Sequence, residues 1–273
     1  MSCSHRLPYT VALTTVLLTS FMACLIDDED FVEPPRTLLT AIGNGPALVE
    51  WAFEYDGCRL THAEWRRALR APIEPREYPH PLEIGPGTLF DFAYTDEGLT
   101  PSSVTVTDTT PAGQLRVRAF DIVRSENVVT ELRGRTNLLG GAPFPVTPPS
   151  ATFFYGDAGL DSIAYSNGRT VALFFSDAGL LERADFREGT SMDVEYYQFD
   201  RALANPLAEL PIRYLFEYPA YWANNPITLG SYDLRTYEYQ AGPNGYPGAV
   251  RDLTFSDSTA ISFFEYERVS ECL

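Results

Sequence analysis

Lysine is absent from this chain of 273 residues, and all 20 of its basic residues are arginine. Acidic residues number 37, so the net charge at neutral pH is −17. A surface of this sign repels polyanions, which argues against nucleic acid and anionic lipid as partners. The composition therefore favours a protein that binds neither, and it leaves the fold open.

The sequence also lacks the short motifs that mark many hydrolases and metalloenzymes. It contains no His-Glu-x-x-His, no Gly-x-Ser-x-Gly and no glycine-rich phosphate loop. Histidine is scarce, and beyond the N-terminal segment only His62 and His80 remain. We interpret both histidines, and carboxylate pairs such as Asp193 and Glu195, as surface groups. We expect no catalytic residue, no metal site and no cofactor.

The N-terminus has the pattern of an export signal. Arg6 precedes an apolar run from Val11 to Ala23, which is short for a membrane-spanning helix of ~20 residues, and Cys24 follows. This arrangement resembles the bacterial lipoprotein box, which implies that Cys24 is acylated and becomes the mature N-terminus. An ordinary signal peptide or an uncleaved anchor is the alternative.

The residues after Cys24 predict a solvated tether. Asp27, Asp28, Glu29 and Asp30 are adjacent carboxylates that repel one another and cannot pack. The run resembles the acidic signal beside the lipidated cysteine of surface-displayed lipoproteins of Bacteroidota. We therefore divide the chain into a signal peptide over 1–23, an acidic tether over 24–46 and a β domain over 47–273.

The clearest structural pattern lies between Ala151 and Asp200 and predicts antiparallel hairpins. Apolar and aromatic residues alternate with a period of two, as in strands with one buried face. Two nearly identical turns follow such runs, and a third turn lies between them. The turn-forming residues are Asp157 and Gly159, Asp177 and Gly179, and Asn167 with Gly168. We interpret the aspartates as turn-capping groups rather than calcium ligands.

The same unit recurs along the chain: alternating aromatics, a short Asp/Gly turn, then a residue such as Leu. Phe53-Glu54-Tyr55-Asp56 and Phe92-Ala93-Tyr94 begin two further copies, at a spacing typical of hairpins. The pattern resembles YD (Rhs-like) repeats, and the whole chain resembles the uncharacterised β-rich lipoproteins of Bacteroidota. That resemblance implies an all-β antiparallel meander of repeated hairpins, forming a large curled sheet or a barrel-like structure. It implies no activity.

Three further features give predictions about sites and connections. Leu138–Ser150 contains two adjacent glycines and four prolines, which makes it a possible boundary between two sub-sheets. Cys58 and Cys272 remain once the N-terminal cysteines are assigned to the signal and the lipid, so we predict one disulfide between them, with two unpaired thiols as the alternative. Tyr221 and Trp222 lie in a Pro/Asn-rich loop and are weak candidates for ligand contact, although core packing also explains them.

The sequence thus predicts an exported, lipid-anchored, non-catalytic protein of the outer membrane or cell surface. Its role would be binding or scaffolding, with a glycan or another surface protein as the partner and the membrane contacted through the lipid. The alternative is an extracytoplasmic hydrolase acting on glycans. In that case His62 or His80 and at least two carboxylates should converge in a cleft.

Overall fold

The computed structural model describes most of the chain from Arg36 onward. The described residues are 36–43, 49–66, 84, 87–96, 98–126, 128–157, 159–177, 181–199, 203–216, 226–230, 235–253 and 261–270. Residues 36–273 belong to one compact unit. None of the helices in the described part has the length and apolar character needed to cross a bilayer.

Among the described residues, seventeen strands make up a single antiparallel sheet. In chain order they are β1 (Arg36–Gly43), β2 (Val49–Asp56), β3 (Arg59–Trp65), β4 (Thr88–Ala93), β5 (Ser103–Thr109), β6 (Leu115–Ser125), β7 (Val128–Leu139), β8 (Ala142–Pro143), β9 (Ala151–Gly156), β10 (Gly159–Tyr165), β11 (Thr170–Phe175), β12 (Leu181–Glu188), β13 (Ser191–Phe199), β14 (Pro226–Gly230), β15 (Arg235–Ala241), β16 (Pro247–Asp252) and β17 (Ile261–Val269).

The strands pair almost entirely in sequence order, which confirms the predicted antiparallel meander. Each strand from β1 to β7 pairs with the next, β7 pairs with β9 as well as with the short β8, and the order continues to β17. The last strand, β17, also pairs with β1 over seven residue pairs. The first and last strands of the meander are therefore neighbours.

The alternation of the sequence sets the two faces of this sheet. In β11, Val171 and Leu173 are buried while Phe174 is exposed, and in β4, Phe90 and Phe92 are buried while Asp91 is exposed. The buried residues of the strands form one core on the inner face. The outer face carries the residues between them, including exposed aromatic rings such as Phe174, as expected for side chains with a period of two.

The sheet begins earlier than the sequence predicted and continues across the proposed boundary. Strand β1 lies within the stretch assigned to the tether. Its sequence lacks the aromatic and Asp/Gly signals that mark the other units, so the repeat pattern did not predict it. Leu138–Ser150 is a connection within one sheet, since Glu131 of β7 pairs with Thr152 of β9. It folds back on β7, and a Cβ added at Gly134 would lie 2.0 Å from the Pro148 carbonyl oxygen.

A segment between β13 and β14, which we call the inner segment, occupies part of the core. It runs from Leu203 to Phe216 and contains two short 3-10 helices, η1 (Pro206–Glu209) and η2 (Pro211–Leu215). Each helix begins with a proline, whose fixed φ suits a first helical position. The Asn205 side chain accepts a hydrogen bond from the Leu207 amide at 3.0 Å and caps η1.

The aromatic residues of this segment do not form a strand. Tyr214, Phe216 and Tyr218 alternate as in a strand, but Tyr214 and Phe216 lie in and directly after η2, and Tyr218 is outside the described residues. Their side chains are nevertheless buried as the aromatic spacing suggested. Proline at two helix starts prevents ladder hydrogen bonds, so the segment enters the core as helical turns instead of adding a strand.

Candidate functional site

The predicted turn residues lie in hairpin turns at several strand ends. Asp157 lies in the β9–β10 turn and Asp177 follows β11. Gly159 has φ of +116° and Gly168 has φ of +90°, backbone conformations that favour glycine. The Asn167 side chain accepts a hydrogen bond from the Arg169 amide at 3.2 Å and closes the β10–β11 turn. These residues shape turns in the structure.

Other predicted site residues fall outside the described part of the chain. They are Cys24, His80, Gly179, Tyr221, Trp222 and Cys272. The predictions that involve them therefore stay predictions: lipidation of Cys24, a surface position for His80, a turn at Gly179, ligand contact by Tyr221 and Trp222, and a disulfide at Cys272.

Four tyrosine side chains each make the same kind of hydrogen bond at one end of the sheet. This is the end at which β2, β4, β6 and β9 finish, and we call it the turn end. Each tyrosine donates a hydrogen bond to a backbone carbonyl of the strand that precedes its own in the sheet. The pairs are Tyr55 to Leu39 at 2.7 Å, Tyr94 to Leu60 at 2.9 Å, Tyr155 to Val129 at 2.9 Å and Tyr266 to Pro247 at 2.7 Å.

The accepting carbonyls all lie at irregularities in the sheet. In each case the pairing register shifts immediately after the accepting residue, leaving one extra residue in that strand. An extra residue disrupts the ladder locally, so a carbonyl there needs another donor. The tyrosine hydroxyl supplies it. Phe175 occupies the corresponding position opposite the irregularity after Leu160, but it has no hydroxyl to donate.

Burial of these rings agrees with a structural role. Burial raises the pKa of Tyr94 to about 12 and that of Tyr155 to about 12, and it raises the pKa of Tyr55 and Tyr266 further. The sequence identified two of these tyrosines, Tyr55 and Tyr94, as the last aromatic before the turn of a repeat. It did not identify their partners, because the extra residues have no distinctive signature.

Replacing Tyr94 by phenylalanine should lower the free energy of unfolding by about 1–2 kcal/mol, because the Leu60 carbonyl loses its donor. The folded-state pKa exceeds the usual value of 10.0, so the hydroxyl contributes fully below pH 10 and its contribution disappears as the pH rises through about 12. Urea denaturation at pH 8 measures the effect. Tyr196→Phe on the outer face is the control, and an equal loss in both variants would contradict the assignment.

A second polar contact at the turn end attaches the inner segment to the sheet. The Tyr246 hydroxyl lies 2.9 and 2.8 Å from the two carboxylate oxygens of Glu209 in η1. Burial and this hydrogen bond raise the pKa of Tyr246 to about 12. The Tyr246 ring stacks on Tyr266 at 5.7 Å, and the Ala204 amide donates to the Gly245 carbonyl. The carboxylate is therefore a structural partner of the β15–β16 turn.

Charged residues of β5 and β6 also form ion pairs with one another, at the end of the sheet opposite the turn end. Arg116 donates to both carboxylate oxygens of Asp108, at 2.9 and 2.6 Å, and Arg118 donates to the same group at 2.9 Å. Arg118 is fully buried, and such a charge is tolerated only when it is paired. On β13, the Tyr197 hydroxyl donates to the Glu195 carboxylate at 2.5 Å.

The residues named for the hydrolase alternative lie apart. His62 is on the outer face, where its Nδ1 lies 2.7 Å from the Asp91 carboxylate of the neighbouring strand. Glu195, which pairs across from the buried Ala184, belongs to the inner face. No group of three or more potential metal ligands occurs among the described residues. Within the described part, His62 therefore does not meet the carboxylate pair.

The outer face of β9 to β11 carries exposed aromatic rings. Phe154 of β9 and Phe174 of β11 are 49% and 41% exposed. Ser162 of β10 pairs with Phe154 on one side and with Ala172 on the other, so these three residues lie in one row across the sheet, and Phe174 lies two residues further along β11. Arg183 of β12 lies over the Phe174 ring, 3.9 Å from its centroid.

Comparison with known proteins gives a distant structural likeness. No protein-family model matches the chain, and no curated protein matches it significantly. Among solved structures, the chain is similar to one described as a porin-like protein from Bacteroides uniformis ATCC 8492. The identity is 14%, the match covers 80% of this chain and 90% of that chain, and the TM-score is 0.47.

Proposed function

We propose that the protein is an exported, lipid-anchored binding or scaffolding protein of the outer membrane or cell surface. One observation carries the binding role: the recurring tyrosines, Glu209 and the Asp108 cluster are engaged in the fold, whereas aromatic rings remain exposed on the outer face. Exposed aromatic groups are typical of recognition surfaces. The sheet thus serves as a rigid support for a surface that binds a partner.

The anchoring proposal rests on the sequence of the N-terminus. The apolar run ends in Phe21-Met22-Ala23 before Cys24, and an acidic stretch follows. Lipidation of Cys24 would retain the exported protein at a membrane, and two acyl signals give stable anchoring where one gives only reversible binding. Strand β1 begins at Arg36, so a tether of about a dozen residues would separate the lipid from the sheet.

Replacing Cys24 by alanine should release the protein from the membrane fraction. The measurement is fractionation of cells that produce the wild type or the variant, followed by detection of the mature chain. Cys3→Ala is the matched control, because that cysteine precedes the apolar run, and its variant should stay with the membrane. Membrane association that is unchanged in Cys24→Ala would contradict lipidation.

We also propose that Cys58 and Cys272 form a disulfide. Arg36 at the start of β1 pairs with Val269 at the end of β17, and β2 ends on the other side of β1. Cys58 follows the end of β2 by two residues, and Cys272 follows Val269 by three. Val269 and the end of β2 therefore lie at the same end of the sheet, two strands or about 10 Å apart, a gap that the few residues leading to the two cysteines can span.

A further inference from the structure

The start of β1 lies at the turn end, and several contacts hold it there. Arg36, the first residue of β1, pairs with Val269 at the end of β17. The side-chain amide of Asn244, in the β15–β16 turn, donates to the Thr37 hydroxyl, and Arg268 donates to the side-chain oxygen of Asn244 at 3.2 Å. The chain therefore joins the sheet at the turn end, beside the β15–β16 turn.

The stretch between Cys24 and Arg36 is short compared with the sheet. About a dozen residues reach about 43 Å when fully extended, and a flexible chain of this length spans about 20 Å on average. Strand β1 is about 27 Å long. To reach the other end of the sheet, the chain would have to return along all of β1 and use most of its length, which lowers its conformational entropy. A membrane on the side of the turn end requires no such return.

We propose that the turn end of the sheet faces the membrane that holds the Cys24 lipid, an inference that rests on the proposed anchoring. The opposite end, where β3, β5 and β12 finish and which we call the far end, then points away from the membrane. That end carries the Asp108 cluster and the β5–β6, β10–β11 and β12–β13 turns. It is the end of the anchored protein that is presented to a partner.

The charge of the turn end determines how closely it approaches the lipid. Asp56, Glu126, Asp157 and Asp177 are exposed in its turns. These carboxylates are costly to dehydrate and repel anionic headgroups, so they do not enter the bilayer. The acidic stretch next to Cys24 has the same sign. The turn end therefore faces the membrane across a hydrated gap that the tether spans, and it does not insert.

The test is energy transfer on vesicles of neutral phosphatidylcholine that contain a lipid with an acceptor dye on its headgroup. The full mature lipidated chain carries a donor dye, coupled to an azide-bearing amino acid at one position. Asp157 and Asp177 are the turn-end positions, and Ala112 and Thr190, in the β5–β6 and β12–β13 turns, are the matched far-end positions, since all four are exposed. We expect at least about twofold greater transfer from the turn-end positions, because the two ends differ in height by about 27 Å.

Deletion of residues 27–30 gives a second measurement. The shortened stretch reaches about 29 Å at most, which is close to the length of β1, so it could not return along the sheet and still reach a bilayer. We expect the turn-end positions to keep the greater transfer, and transfer from Asp157 to rise because the gap narrows. A loss of the difference between the two ends in this variant would contradict the proposed orientation.

Two results with the undeleted chain would overturn the proposal while leaving the anchoring proposal intact. They are equal transfer from both ends and greater transfer from the far end, in protein that binds the vesicles. Cys24→Ala is the control for anchoring, and it should stay in solution and show no transfer from any position. Wild-type protein that also stays in solution would contradict anchoring, and this inference with it, so the two failures are distinguishable.

Discussion

Replacing Cys58 by alanine should lower the free energy of unfolding by about 4–5 kcal/mol, which is the largest loss we expect from a single change outside the core. In the chain-entropy model, a disulfide between Cys58 and Cys272 stabilises the protein because it restricts a loop of more than 200 residues in the unfolded chain. The measurement is urea denaturation of oxidised protein in a Cys24→Ala background, with and without a reductant.

The matched control for this prediction is the second cysteine. Cys272→Ala should cause the same loss as Cys58→Ala, and the double variant should lose no more than either alone, because one bond is removed in all three. Reductant should have no effect on any of them. Two sulfurs that react with a thiol reagent in unreduced, denatured protein would exclude the disulfide.

Replacing Phe216 by alanine should lower the free energy of unfolding by about 3–5 kcal/mol. The Phe216 ring meets Trp51 at 5.9 Å and Trp65 at 5.8 Å in edge-on contacts, and it lies 6.1 Å from the Phe90 ring. Trp51 in turn stacks on Trp65 at 5.4 Å. Alanine would leave a cavity lined by these rings, whose rigid strands cannot move to fill it.

Urea denaturation followed by tryptophan fluorescence measures this loss, because two of the three tryptophans of the chain contact Phe216. Phe263→Ala is the control and should change stability by no more than about 0.5 kcal/mol, since that ring is exposed. A loss below 1 kcal/mol in Phe216→Ala would mean that the inner segment does not stabilise the core.

The strands and their faces could be predicted from sequence because each depends on neighbours within one hairpin. The alternation of Val171 and Leu173 with Ala172 and Phe174 predicts which side chains are buried, and Gly159 and Gly168 adopt the positive φ values that their turns require. Local pattern sufficed for these features.

The candidate site could not be predicted in the same way, since its residues come together only through strand register. Phe154 and Phe174 are ordinary members of aromatic runs, and the sequence gives no sign that both rings stay exposed on the outer face. The same holds for Tyr94 and the Leu60 carbonyl, which meet only because an extra residue shifts the pairing of β2 with β3. A shift of one residue would reverse the face of every side chain involved.

The sequence by itself determined the antiparallel hairpins, their turns and the aromatic composition of the core, because a period of two and the φ demands of turns act over a few residues. Only the tertiary structure decided that β17 lies beside β1, that Leu203–Phe216 enters the core as helical turns and that aromatic rings stay exposed on the outside. These features depend on contacts between residues far apart in the chain. Local propensity does not encode such contacts, and burial in one shared core selects them.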